Sequence, residues 1–238
     1  STMPMTLVYD PVNDSFALET HEWPGRTAGD RESNPDPTFV GRVINDMFLF
    51  KGRMVLLADE NLIFSETKYY ENFYRTTLTL YLETDPIDVA STSAKTAILH
   101  HGVAFDETLV VFSDDQQFRI LSGDSLTPQN ISIVPTTTFN SSRNCAPIAV
   151  GQNVFFVEDS ESGRYASVME YFRNPNTERD DAASVTAAVP KYIPRGVSRM
   201  TAAANESLAA LITEENEGEV YVYRYYWSGG EKIISSWT

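Results

Sequence analysis

Four stretches of this chain are written to one plan. Phe50 to Asp59 (FKGRMVLLAD), Phe105 to Asp114 (FDETLVVFSD) and Val150 to Asp159 (VGQNVFFVED) each begin on an apolar residue. Three turn-prone residues follow, then an apolar run, then a polar stop nine positions after the start. Ala204 to Thr213 (ANESLAALIT) follows the plan more loosely. Their starting residues lie 55, 45 and 54 positions apart. That spacing is at and a little above the period of β-propeller blades and far above that of helical-pair repeats.

The contents of each unit agree with that spacing. An apolar strand enters the turn (INDMFLF, HHGVAF, CAPIAV, RMTAAA), and a nearly continuous apolar run leaves it (MVLLA, LVVFS, VFFVE, LAALI). Such runs suit strands buried on both faces. A third strand follows in NLIFSE, QQFRIL, SVMEYF and VYVYRYYW. Fourth strands are weaker, and the best candidates are Asn130 to Phe139 and Glu231 to Thr238, the latter barely begun where the chain stops. Long connections separate the units at Glu83 to Lys95 and Arg173 to Gly196. The second holds a helical-looking piece, DDAASVTAAV, with Asp180 and Asp181 suited to its N-terminus and Pro190 and Pro194 ending it. Residues 1–40 read as a hairpin with an Asn-Asp turn and then an extended connector. The expectation is an all-β, β-propeller-like repeat of antiparallel blades with at least four units, an N-terminal hairpin and long inter-blade loops. Residues 1–40 would be the hairpin and connector and 41–238 the propeller-like domain, excised from a longer chain.

Composition narrows the chemistry. Hydrophobic residues make up 42% of the 238 positions and aromatics 12%, enough for a packed core. No run approaches the eighteen or so apolar residues that span a bilayer. The lone Cys145 excludes an internal disulfide and a thiolate zinc site. Eighteen Lys and Arg stand against thirty-three Asp and Glu, a net charge of −15. A surface of that sign repels nucleic acid, whose affinity comes from basic side chains releasing counterions. Two readings stay open: charge for solubility, or a surface that does not hold DNA passing close by.

Candidates for chemistry are few. His100 and His101 are adjacent in a strand, which would point them to opposite faces, and His21 sits in the hairpin without a partner nearby in sequence. No GxSxG, HExxH, P-loop, GxGxxG or DxDxDG pattern occurs, and SGDS (122–125) and SGG (228–230) read as ordinary turns. Carboxylates pair at Asp114/Asp115, Glu158/Asp159, Asp180/Asp181 and Glu214/Glu215, which a glycosidase could draw on from different blades. In a chain with thirty-three acids such pairs occur by chance, mostly as solvated turn residues. Aromatics concentrate in Tyr69 to Leu82 and Val220 to Trp227, as core between blades, as a sugar-stacking platform or as a subunit contact. No catalytic, cofactor-binding or metal residue is assigned, and no cofactor is expected.

Longer motifs carry a resemblance. Asn34, Pro35, Pro37 and Phe39 follow NP-x-PSF-x-G. Phe50 and Arg53, one position closer together, stand for a strand and turn ending F-x-x-x-R, and Asn61, Ile63 and Ser65 match a GENVI-x-S strand before an aromatic cluster at Phe73 and Tyr74. Asp85 to Val89 matches DDPIDV, Phe112 to Phe118 matches FSDQ-x-QF, and Val189 to Val197 matches VPNYIPNGV. Together they resemble the tail tubular protein B (nozzle) family of short-tailed, podovirus-type bacteriophages, from about Met3 to Trp237. Asp59 stands where that family favours Gly, and family members are several times longer. The resemblance implies a structural virion protein, not an enzyme, self-associating as a ring (a hexamer in the family) in the distal tail. It implies contacts with the gatekeeper ring and tail fibres, and transient passage of genome DNA without specific binding. Host surface polysaccharide is a further candidate partner, and the competing reading is a propeller-type tail protein that binds or hydrolyses it.

Overall fold

The computed structural model describes residues 4–91, 96–122, 125–159, 163–174, 177–216, 218–228 and 231–238. Among them every regular element is a β-strand. The chain divides into two compact units, residues 1–91 with 122–132, and residues 92–121 with 133–238.

The first unit opens with a hairpin of β1 (Met5–Asp10) and β2 (Ser15–Thr20), paired from Met5↔Thr20 to Asp10↔Ser15. Its loop is the expected Asn-Asp turn, closed by Asp10, whose carboxylate accepts from the Val12 N–H (2.9 Å) and the Asn13 side chain (2.7 Å). A four-stranded antiparallel meander follows: β3 (Asp46–Phe50), β4 (Arg53–Ala58), β5 (Asn61–Phe64) and β6 (Ile87–Ala90). The second unit repeats that meander three times. Its sheets are β7 (Leu99–Phe105) to β10 (Ser132–Thr137), with β8 (Thr108–Ser113) and β9 (Gln117–Leu121) between them; β11 (Ile148–Val150), β12 (Asn153–Glu158), β13 (Ser167–Arg173) and β14 (Asp180–Ser184); and β15 (Val197–Ala203), β16 (Leu208–Thr213), β17 (Tyr221–Ser228) and β18 (Glu231–Trp237).

The quoted repeats are the β3–β4, β7–β8, β11–β12 and β15–β16 hairpins. Two-residue turns close the first three, with φ positive at Lys51 (45°) and Gly52 (72°), at Asp106 (49°) and Glu107 (60°), and at Gly151 (60°). Such turns match the right-handed twist of the flanking strands. The fourth has a four-residue loop between Ala203 and Leu208, which explains its looser sequence. Asp59, at the β4–β5 turn, has φ 50°, a left-handed conformation in which Gly is the usual resident and Asp is tolerated.

Three expectations are corrected. The segment expected to be helical is β14, paired to β13 from Met169↔Ser184 to Arg173↔Asp180; an isolated helix of ten residues is marginal, and the open edge of β13 supplies a full ladder instead. The connection from Glu83 contains β6, the fourth strand of its sheet, while its residues 92–95 lie outside the described residues. The last strand is not barely begun, because β18 runs its full seven residues. The SGDS and SGG turns fall partly on residues 123–124 and 229–230, which also lie outside the described residues.

Burial follows the sequence pattern. Val55, Leu56, Leu57, Ala58 on β4, Leu109 to Phe112 on β8 and Val154 to Val157 on β12 are all buried. In the second unit one cluster joins Val110 and Phe112 of β8 to Val154, Phe156, Met169 and Tyr171 of the next sheet. A second joins the opposite face of that sheet, through Phe155, Val157 and Val168, to Ala209, Leu211, Tyr221 and Tyr223. Three meanders therefore pack face to face in chain order, and β11 lies beside both β7 and β15.

Candidate functional site

The residues with the most distinctive sequence signature do structural work in the first unit. Arg53 is buried at 1% exposure. Its guanidinium donates to the carbonyls of Ser65 (2.7 Å), Thr84 (3.2 Å), Asp85 (2.8 Å), Glu83 (2.8 Å) and Leu126 (3.3 Å). One side chain thus ties the end of β5, the return of the long β5–β6 excursion and residue 126 together. Asn34 holds the same excursion to the connector: its amide donates to the Ala28 (2.9 Å) and Arg75 (3.0 Å) carbonyls and accepts from the Arg75 N–H (3.3 Å). Asp88 of β6 accepts from the N–H and hydroxyl of Thr38, both at 2.8 Å, and from Asn61 (3.1 Å). Phe39 and Phe73 meet edge to face at 5.0 Å, with Trp23 behind Phe73. A donor with five carbonyls in low dielectric is fully satisfied, and an acceptor set that lost it would not be.

The second unit uses its motif residues the same way. Buried Gln117 donates to the Phe139 carbonyl (2.8 Å) and accepts from the Thr137 hydroxyl (2.7 Å), fixing β10 to β9. Ser113 both donates to and accepts from Gln116, capping the β8–β9 turn. Ile193 is fully buried and its carbonyl accepts from Ala166 N–H, so the proline-bounded loop is pinned to the sheet. Sequence reading missed Arg119, which is buried and ion-paired to Asp180 at 3.1 Å and to Asp106 at 3.4 Å. Nothing local marks it, since Asp180 is sixty-one positions away.

The histidines are placed differently from expectation. A β-bulge between Leu99 and His101 breaks the alternation, so the two rings meet edge to face at 4.9 Å. His100 is buried, with Nε2 at 4.0 Å from Asp114. Burial, helped by His101, pulls its pKa down to about 4 against the opposing pull of Asp114. Arg143 holds Asp114 with two hydrogen bonds, 2.6 and 2.5 Å, which keep that carboxyl below its usual range. His21 does have partners: Nδ1 lies 3.0 Å from Thr6 Oγ1 and Nε2 lies 3.1 Å from Glu71, at the base of the hairpin.

Several of the paired acids are committed to these frames. Asp180 holds Arg119, Asp181 accepts from the Ala182 N–H (2.8 Å), and Asp159 accepts from Ser142 (3.3 Å) and the Gly196 N–H (3.4 Å). Among the described residues no group of three or more His, Cys, Asp or Glu could hold a metal ion. Cys145 is buried, which pushes its thiol up to about 12.

What the sequence left open, the exposed apolar surface, has a definite location. Met5, Leu7, Tyr9, Phe16 and Leu18 share one face of the hairpin by register, and all are exposed (49–67%). Every residue of β2 is exposed. In the aromatic stretch after β5, Phe73 goes into the core while Tyr69, Tyr70, Leu80 and Tyr81 stay at the surface. On β17, Tyr221 and Tyr223 are buried and Tyr226 and Trp227 are half-exposed.

A family model described as the bacteriophage nozzle protein matches residues 1–238. The tail tubular protein gp12 of Escherichia phage T7 is 32% identical over 238 residues, which are 100% of this chain and 30% of that protein. The chain therefore spans about a third of the length of this curated relative. Among solved structures, the N-terminal domain of Nup170 of Chaetomium thermophilum, in complex with Nup53, has a TM-score of 0.46 and 10% identity over 80% of this chain and 28% of that one.

Proposed function

Because the chain belongs to the bacteriophage nozzle protein family, we propose that it is a structural part of a short phage tail. In this reading it forms a section of the conduit for genome ejection and of the platform where tail fibres attach, and it resides in the virion. The observation that carries the reading is where the family-like residues go. Asn34, Arg53, Asp88, Gln117 and Ile193 are all spent on tying strands and loops into stiff sheets.

The successive meanders, packed face to face with β11 beside β7 and β15, support a β-propeller-like arrangement. Residues 41–238 would supply its blades, preceded by the hairpin and connector of 1–40. Copies of the protein would assemble as a ring, with six in the family, between a gatekeeper ring and the fibres. The apolar face of the hairpin is the natural contact with a neighbouring copy, since exposed apolar patches of this kind mark interaction surfaces. A net charge of −15 gives passing DNA phosphates little to bind, so the genome slides without sticking. The role is mechanical, not enzymatic.

Depleting the protein during infection tests this. Particles made without it should fill with DNA but lack the distal tail and fail to eject. Complete, infectious tails without it would refute the proposal.

A further inference from the structure

A cavity lies between two sheets of the second unit, in a part of the chain that the mechanical role does not use. It has a volume of about 690 Å³. Gly151 and Gln152 of the β11–β12 turn, Asn153 at the start of β12, Glu170 of β13, and Tyr225 and Trp227 of β17 form its walls, with Phe172 beside them. The aromatic side is held firmly: Tyr225 packs on Phe155 at 5.8 Å and stacks on Tyr223 at 5.6 Å, and Lys232 sits 5.0 Å from the Trp227 ring. Tyr225 and Trp227 are two positions apart on β17, so strand alternation turns both toward the same hollow, while the bulge opposite them falls at Ile233 of β18.

The polar side is charge-balanced. Glu170 is 4% exposed, and both its oxygens are engaged, one by Asn153 Nδ2 at 2.7 Å and the other by the Lys232 ammonium. That pair cancels, so the cavity carries no net field to attract an ion. No second carboxylate lines the walls, so the cavity lacks the pair of acids that glycoside cleavage uses.

An uncharged hollow with an aromatic wall and amide groups opposite has the chemistry of a sugar site. The C–H face of a pyranose lies on aromatic rings, while planar amides bond its hydroxyls in pairs. We infer that this cavity binds neutral sugar units of a surface glycan, without cleaving them. The inference stands on the cavity and is independent of the tail assignment.

The test titrates the full-length protein with glucose and N-acetylglucosamine oligosaccharides and, separately, with a glucuronate oligomer, following indole fluorescence and heat of binding. Saturable binding of a neutral oligosaccharide is expected. Trp227→Ala should weaken it at least tenfold and Gln152→Ala several-fold, whereas Tyr226→Ala, outside the cavity, should leave it unchanged. Both cavity variants alter surface side chains, and circular dichroism checks that they fold. Preference for the acidic oligomer, equal loss in Tyr226→Ala, or no binding by any of the probes would overturn the inference. So would a map of the assembled tail in which another polypeptide fills the cavity.

Discussion

Strand β12 and the hairpin β1–β2 spend their apolar residues in opposite ways. On β12, Val154, Phe155, Phe156 and Val157 are all at 0% exposure, because a sheet covers each face. On the hairpin, Leu7, Phe16 and Leu18 stand at 61–67% exposure, and among the described residues no second sheet covers them. An isolated two-stranded hairpin is marginal in water. The contrast teaches that β12 holds the fold of a single chain, whereas the hairpin's apolar face contributes little to it and is the face proposed to meet a neighbouring copy. Residues of the same chemical type are therefore buried for folding in one place and left at the surface in the other.

The comparison breaks most sharply at Phe156. Truncating it to Ala removes a ring packed on Phe112 at 5.3 Å between two sheets. It should cost about 3–5 kcal/mol by chemical denaturation. A cost below about 1 kcal/mol would mean that the sheets are not packed as described. Arg53→Ala should cost about 3 kcal/mol, because buried carbonyls lose their donor. Arg53→Lys should recover little of it, since an ammonium cannot span the same five oxygens; full recovery would reduce Arg53 to a point charge.

His100 gives a pH signature of similar size. Its folded pKa, about 4, lies below the ordinary 6.5, so the unfolded chain takes up the proton first. Its contribution is complete above pH 6.5, is lost as pH falls from 6.5 to 4, and is level below that. It amounts to about 3 kcal/mol across the window. The denaturation midpoint of His100→Gln should therefore fall less steeply over that interval than that of the parent. Identical slopes would show that His100 protonates freely in the folded protein.

The smallest effect on folding belongs to the hairpin. Leu7→Ser, Phe16→Ser and Leu18→Ser should each shift stability by no more than about 0.5 kcal/mol. Combined, they should abolish ring assembly in sedimentation experiments on the full-length protein. Rings that form normally would remove the hairpin from the contact.

Much of the fold was legible because strand pattern and turn chemistry agree. The two-residue turns and the uninterrupted apolar second strands mark three of the four repeats almost to the residue. The fourth strands were harder, since β6 (IDVA) and β14 (DDAAS) are short edge strands whose identity comes from the neighbour they pair with. A bulge such as that at His100 leaves no sequence trace, and it reversed the expected facing of two histidines. The motifs were visible as motifs, but their work was not. The carbonyls bound by Arg53 come from residues 65 to 126, and Arg119 finds its carboxylate sixty-one positions on. The cavity proposed to hold sugar draws residues from two separate repeats of strand and turn, and no local pattern announces it.

An electron-microscopic map of intact tails tests the central claim most directly. The account predicts successive four-stranded meanders of this chain standing around the channel as a rigid wall, with the Leu7, Phe16 and Leu18 face covered by the adjacent copy. A tail whose wall lacks this chain, or one in which that face lies open to solvent, would contradict it.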